Sequence, residues 1–564
     1  MSPGALPASR LVGAKHAQWP IIGVSAVLGV LGLHLWLIFT RAINWDEFFY
    51  YAQIEQALRG ELASPLQTIH VRLFAWLPFL SGVGVDKIIA ARLVMFACEL
   101  VTSAAIICLA LKFVGRSAAL IAALAYLSAG FVVENGASFR TDPLAIALLM
   151  AALCLLLRAR LGVLTIATFG VLVGLAGMVT MKAILILPAF AGIAWLRWDE
   201  AHRSPAILIR IAAAAAASGV MFCLLLWAHG AAMPDQITQA VQTKQASGIV
   251  TESSRKMFFI GVPQYVGAIG IFALTALPLY IAIITAPLIV IRDGTLKRGE
   301  KWALAGLLLP VTSLAFYHNS LPYYYAFMLP PVVAASAVAF SAAIKRFGLV
   351  ICTFAMVANA AAVTAASGPS RLHAQRDIQR AATEIFPDPV AYFDFPAMLP
   401  GFKKANGFMT RWGIEGYLRG NGPSYEQIMA RTAVPLLLTN DPQFNPSLLD
   451  LVNGGPNARL FRPGDIEVIR TTYRQFWGPY WLAGTELSAG EKTAWQVHVP
   501  GQYTVSGGPV KIAGRRVETG AVTVLDRGTV DLENTASTPA ALTWGDNLQA
   551  PDRSPPARPY WTDF

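Results

Sequence analysis

The sequence predicts an α-helical polytopic membrane protein of about eleven spans, followed by a C-terminal extracytoplasmic region of mixed α/β and then β-sandwich character. Three observations predict it. The chain has 564 residues, of which 55% are hydrophobic and only 14% charged, with a mean hydropathy of +0.52. Its apolar stretches reach or approach the roughly 20 residues that cross a bilayer. Beyond residue 371 this character stops, and short strand-like runs punctuated by glycine take over.

The stretches are 19–39, 88–111, 117–133, 142–157, 161–179, 183–196, 206–229, 265–290, 302–317, 323–344 and 347–366. The sixth is short, as a tilted or partly re-entrant segment is. Arg10 and Lys15 set the N-terminal tail, residues 1–18, in the cytoplasm. The inner turns then hold Lys112/Arg116, Arg158/Arg160, Arg197/Arg203, Arg292/Lys297/Arg298 and Lys345/Arg346, so every one is basic. The net charge of +11 is therefore a topology signal, which argues against nucleic acid as a partner.

An odd number of spans exports the C-terminus. Residues 19–366 form the transmembrane domain, 371–485 a mixed α/β region and 486–564 a β-sandwich-like region. Arg371–Ile385 reads as a helix, while Val390–Phe395 and Val434–Thr439 read as buried strands. All five cysteines lie in apolar runs, so the exported region needs no disulfide. Two outer loops, 41–86 and 230–263, are too long for plain connectors. In the first, Phe48–Leu58 and Leu73–Leu80 are apolar enough to lie along the membrane surface.

Candidate chemistry gathers at the outer ends of the spans. Asp46-Glu47 follows the first span directly, and a carboxylate at that depth either works or caps a helix. Asp46 can accept a proton from an attacking hydroxyl; Glu47 is its partner or is solvated. Between spans three and four, Arg140 and Asp142 stand in Ser138-Phe-Arg-Thr-Asp-Pro143, where Asp142-Pro143 also suits a plain helix start. Lys182 ends the fifth span, either snorkelling to headgroups or holding a phosphate. His70 and Arg72 in the first loop, with His318 and Tyr324 before span ten, add further groups able to meet a phosphate. Gly170, Gly174 and Gly177 mark close helix packing. Tyr473, Trp477, Tyr480 and Trp481 either stack on sugars or build a core.

In these residues the chain resembles the GT-C glycosyltransferases that use polyprenyl-phosphate sugars, such as protein O-mannosyltransferases and the lipid A aminoarabinose transferase. The bacterial branch with lipopolysaccharide-core galacturonosyltransferases is most similar. Asp46-Glu47-Phe48-Phe49-Tyr50-Tyr51 is similar to its Asp-Glu-x-x-Tyr-Tyr signature. Ser138 to Leu144 resembles its Thr-Pro-Asp-type motif, Gly174-Leu-Ala to Lys182 its Gly-Leu-Ala…Lys motif, and Leu321-Pro-Tyr…Leu329-Pro330 its Leu-Pro-x-Tyr…Pro element. Where the family has Lys-Pro-Pro-Leu, this chain has His70-Val-Arg-Leu73, leaving His70 or Arg72 to supply that cation.

The resemblance implies one-step, inverting transfer of a single sugar from a polyprenyl-phosphate donor to a hydroxyl of an envelope glycan or glycolipid. Asp46 is then the general base, and the cations stabilise the departing lipid phosphate. It implies a bacterial inner-membrane enzyme working at the periplasmic face. No cofactor is required and no closed metal-ligand set stands out, although a divalent metal stays compatible. Two other readings remain: a lipid-linked glycan transporter or flippase, marked by repeats and broken helices, and a glycan polymerase or ligase.

Overall fold

The structure is a computed structural model that describes residues 19–62, 64–233, 258, 265–407, 411–441, 444–449 and 461–560. Arg10, Lys15 and most of the loop 230–263 lie outside the described residues. In chain order the longer helices are α1 (Ile21–Thr40), α2 (Trp45–Leu58), α3 (Gly84–Ala110), α4 (Arg116–Ser128), α5 (Thr141–Arg158), α6 (Val163–Val179), α7 (Leu187–Glu200) and α8 (Pro205–Ala231). They continue with α9 (Val266–Thr275), α10 (Leu277–Arg292), α11 (Arg298–Leu308), α12 (Pro322–Phe347), α13 (Leu349–Ala366) and α14 (Leu372–Ile385).

All eleven apolar stretches are helical. Among the described residues, seven helices are long and apolar enough to cross a bilayer, or eight if the bent pair α9–α10 counts as one. The short sixth stretch opens with a 3₁₀ segment, Met181–Ile186, before α7. The sharp break lies elsewhere, at 107° between α9 and α10. Pro278 at the start of α10 cannot continue the ladder from α9. At the break the Thr275 carbonyl accepts from Asn359 Nδ2 at 2.7 Å, and the same amide donates to the Ser128 carbonyl at 2.6 Å. In lipid a backbone carbonyl must find such a partner.

The chain divides into two compact units. The first comprises 1–38, 63–70 and 92–367; the second comprises 39–62, 71–91 and 368–564. In the first, helices approach closely at glycines. A Cβ on Gly174 would stand 2.8 Å from Met221 Cβ and 2.9 Å from the Phe222 nitrogen, both on α8. On Gly170 it would stand 2.9 Å from Ala217, and on Gly177 3.2 Å from Phe222. The packing role expected of these glycines is their role in the fold.

The second unit redraws two boundaries. Residues 39–62 and 71–91 belong with the C-terminal region rather than with the membrane helices of 19–366. The division at 485/486 falls inside a strand. Strands β1 (Ala391–Phe393), β2 (Lys403–Lys404) and β3 (Leu436–Leu438) form a parallel trio centred on β1. β4 (Tyr473–Trp477) and β5 (Tyr480–Leu487) follow as a hairpin, and β5 pairs with β3. Next come β6 (Lys492–Val497), β7 (Gly501–Ser506), β8 (Val510–Ile512), β9 (Arg515–Val517), β10 (Val522–Leu525), β11 (Gly528–Asn534) and β12 (Ala540–Trp544). Among the described residues the large sheet runs β10-β7-β12-β5-β3-β1-β2, with β4 on β5, so β5 joins both regions. The second sheet, β6-β11-β8-β9, packs its Trp495, Val497, Ile512 and Leu532 against Tyr503, Val505 and Leu542 of the first. This is the expected sandwich.

Two surface expectations change. α2 does not lie on the membrane through its apolar face, because Phe48, Tyr51 and Ile54 are buried in protein. Leu73–Leu80 does expose Trp76 and Phe79, the latter at 80%. Tyr473, Trp477, Tyr480 and Trp481 are all buried, so the core reading holds for them. Gly174→Ala is expected to lower the melting temperature of the purified protein, at a cost of about 1–3 kcal/mol from overpacking. Gly219→Ala, where a Cβ meets open space, leaves the melt unchanged or raises it.

Candidate functional site

In the second unit, residues 43–47 are held rigidly. The Ile43 N–H donates to Gln375 Oε1 at 2.7 Å, and Gln375 Nε2 donates back to the Ile43 carbonyl at 2.8 Å. Asn44 caps α2 by accepting from the Asp46 N–H at 2.9 Å. Glu47 completes a capping box by accepting from the Asn44 N–H at 2.8 Å. Trp45 packs on Phe395 with ring centroids 5.6 Å apart.

The acidic pair is thus divided. Asp46, at the second helical position, is half-buried and is not the cap, whereas Glu47 is fully buried. The expectation that Glu47 is solvated is corrected: its carboxylate serves the cap, where the helix dipole favours it. In the short helical turn His70–Leu73, His70 is buried and Arg72 exposed, so the two candidate cations differ in access. Further along α2, burial raises the Tyr51 phenol and the Glu55 carboxyl. The Gly401 N–H, 2.9 Å from Glu55, together with Arg59 and Lys87, acts the other way on the carboxyl.

In the first unit, three of the expected residues meet. Lys182 donates to Asp142 Oδ1, and Arg140 Nε stands 3.7 Å from Asp142 Oδ2. Arg140 lies over the Tyr323 ring at 3.6 Å and Lys182 lies 5.2 Å from the same ring. The side chains of Arg140, Asp142 and Lys182 are only 3%, 1% and 12% exposed, so the group sits in a low dielectric. Two cations thus share one carboxylate, a grouping whose guanidinium and ammonium are chemically able to meet a phosphate. The Asp142-Pro143 helix start is also present, at the head of α5, so one residue meets both expectations.

Tyr324 bonds a different partner. It is fully buried, its hydroxyl 2.6 Å from Ser313 Oγ and its ring against Tyr317. The tyrosine beside the cations is Tyr323. Three tyrosines in sequence point about 100° apart on a helix, and the run alone does not say which faces the cations. His318 occupies the turn that precedes α12 and is half-buried.

A second buried polar group had not been expected. His34 of α1 and Glu99 of α3 are each 2% exposed. His34 Nδ1 lies 3.0 Å from both Glu99 oxygens, and Nε2 lies 3.0 Å from the Leu127 carbonyl. The carbonyl only accepts, so Nε2 carries a proton. A Cβ on Gly136 would stand 2.1 Å from Glu99 Oε1, which requires glycine in the loop leading to Arg140. The sequence signal was there: an ionisable residue inside an apolar span is a site by default. Buried Arg92 similarly donates to the Ile38 carbonyl in the last turn of α1, at 3.3 Å.

Fold and residues together define a polytopic membrane protein with charged groups gathered at span ends and a mixed-sheet domain following the helices. Structural comparison gives this arrangement a precedent. The chain is similar in structure to ArnT from Cupriavidus metallidurans, solved bound to undecaprenyl phosphate, with a TM-score of 0.52 and 13% identity over 77% of this chain and 94% of that one. It also matches the Archaeoglobus fulgidus oligosaccharyltransferase, solved with zinc and sulfate, with a TM-score of 0.47 and 13% identity over 82% of this chain and 73% of that one. The chain has the GT-C fold. No protein-family model and no curated protein sequence matches it.

Breaking the buried pair should cost more than removing it. Asp142→Asn alone is expected to destabilise by about 3–5 kcal/mol, because Lys182 and Arg140 lose their counter-charge. Adding Lys182→Met should restore part of that loss, read as a double-mutant cycle in denaturant melts. For Glu55, an acid whose value is raised by folding adds stability below its unfolded value of about 4.3, lost as pH rises through the folded value. Glu55→Gln should flatten that part of the stability–pH curve, measured by thermal melts between about pH 4 and 7.

Proposed function

We propose that the chain is a membrane glycosyltransferase that moves a single sugar from a polyprenyl-phosphate donor to a hydroxyl of an envelope glycan or glycolipid. The observation that carries this reading is the nearly buried group in which Arg140 and Lys182 meet on Asp142 in a GT-C fold, with ArnT solved bound to undecaprenyl phosphate in the same fold.

In this reading Asp46 is the general base. It removes the proton from the acceptor hydroxyl as that oxygen attacks the anomeric carbon, with inversion. The bond to the lipid phosphate breaks on the opposite side, and the phosphate leaves as an anion that needs cations rather than a proton. The resemblance names Arg140 and Lys182, with Arg72 and His318, as the candidates to supply that charge. Asp142 sets the two cations in place and holds back part of their charge. Glu47 acts through the cap that orients Asp46. The basic inner turns support a multi-pass protein of the bacterial inner membrane with its C-terminal region in the periplasm.

One observation favours the transporter reading, namely the broken span α9–α10. The carbonyl at the break is taken by Asn359, which makes the break a packed joint.

The deciding experiment is mass spectrometry of envelope glycolipids and glycans from cells carrying wild type, a deletion or Asp46→Asn. Asp46→Asn is expected to insert and fold normally yet lose one discrete sugar mass, with transfer reduced about 10²-fold or more. A wild-type glycan profile from a folded Asp46→Asn protein sinks the assignment. Gln375→Leu should reduce kcat through misplacement of Asp46 while sparing the donor KM.

A further inference from the structure

The second unit carries a pocket of about 310 Å³ lined by β4, β7, β12 and the loop after β12. Its aromatic walls are Phe476 and Trp544, and Ser506, Thr519 and Gln549 add neutral polar groups. None of these residues belongs to the proposed transfer chemistry.

The pocket is built before any ligand arrives. Gln475 pairs with Trp481 and Trp477 with Tyr480, so Phe476 is the extra residue of a β-bulge. A bulge re-aims a side chain, and here Phe476 joins the pocket lining while Tyr473 and Trp477 on either side of it are buried. The following loop takes strained turns, with Gly545 at φ 113° and Asn547 at φ 49°. The Thr504 hydroxyl fixes it by donating to the Gly545 carbonyl at 2.7 Å and accepting from the Asn547 N–H at 2.8 Å. Trp544 Nε1 is already bonded to the Pro500 carbonyl at 3.3 Å, which orients the indole.

The charge in the pocket is already matched. Arg474 donates to Glu486 Oε1 through Nε and Nη2 at 3.1 and 2.7 Å, and to Thr543 Oγ1 through Nη1 at 2.5 Å. An anion would have to displace that carboxylate. A neutral polyol meets no such opposition.

We propose that this pocket binds one neutral sugar ring. A pyranose offers an apolar C–H face to Phe476 and Trp544, and hydroxyls to the Gln549 amide and the Ser506 and Thr519 hydroxyls. The volume is at the small end of ligand sites, suited to one ring rather than to a length of polymer. The proposal does not depend on the transferase reading.

Saturation-transfer NMR on the full chain in lipid nanodiscs tests it. The probes are methyl glycosides of glucose, galactose, mannose and N-acetylglucosamine, with galacturonate and inorganic phosphate as anions. Transfer to at least one neutral glycoside is expected, undiminished by excess phosphate. It should fall roughly five-fold in Phe476→Ala and in Gln549→Ala, each melting as wild type does. It should persist in Asp46→Asn, which separates this pocket from the proposed catalytic site. No transfer to any neutral glycoside, or displacement by phosphate or galacturonate, overturns the proposal. So does a signal that survives both pocket variants or disappears in Asp46→Asn.

Discussion

The paired hydrogen bonds between Gln375 and the Ile43 backbone are the constraint on which the second unit depends. Ile43 is fully buried, and a buried amide without partners costs roughly 1–3 kcal/mol for each unsatisfied group. One turn further along α14, Gln379 accepts from the Val85 N–H at 2.8 Å and donates to the Met398 carbonyl at 2.7 Å. Between them Arg376 pairs with Asp86 at 2.8 Å. One helix thereby holds both ends of the first long loop. Asn44, Trp45 and Asp46 have their geometry because residue 43 has no other place to be.

The first unit solves a different problem, that of charged and broken backbone among apolar helices. Three of the polar groups there have well-defined partners: His34 with Glu99, Lys182 and Arg140 with Asp142, Asn359 with the carbonyl at the break. A carboxylate is tolerable in such surroundings only with compensating charge or donors. The Asp142 carboxylate is shared by two cations, whereas Glu99 is met by the single imidazole of His34. The Asp142 group is the one the proposed function uses, while Glu99 lies against Gly136 in the loop leading to Arg140.

Much of this was legible in the sequence, and the reasons are local. Hydropathy marks membrane helices because lipid imposes one rule on every residue of a span. Glycines at positions 170, 174 and 177 implied close packing because lipid-embedded helices associate through small residues. The helix at Arg371–Ile385 followed from its periodicity, and the structure has it at Leu372–Ile385. Solvent exposure was harder to read. Glu47 looked solvated beside Asp46, yet one residue along a helix turns the side chain by about 100° and places it in the cap. For the same reason Tyr323, not Tyr324, faces Arg140.

By itself the sequence determined the membrane class, the order of the helices, the basic turns and the charged residues at the span ends. Each of these is a property of a short segment in a known solvent. Only the tertiary structure decided which of those residues meet. It joined residues 39–62 and 71–91 to the C-terminal region, ran β5 through the expected domain boundary and paired His34 with Glu99 across 65 residues. It also buried four aromatics that could have bound sugar and left Phe476 and Trp544 lining a pocket. Such outcomes depend on contacts between segments far apart in the chain, whose energies no local pattern contains.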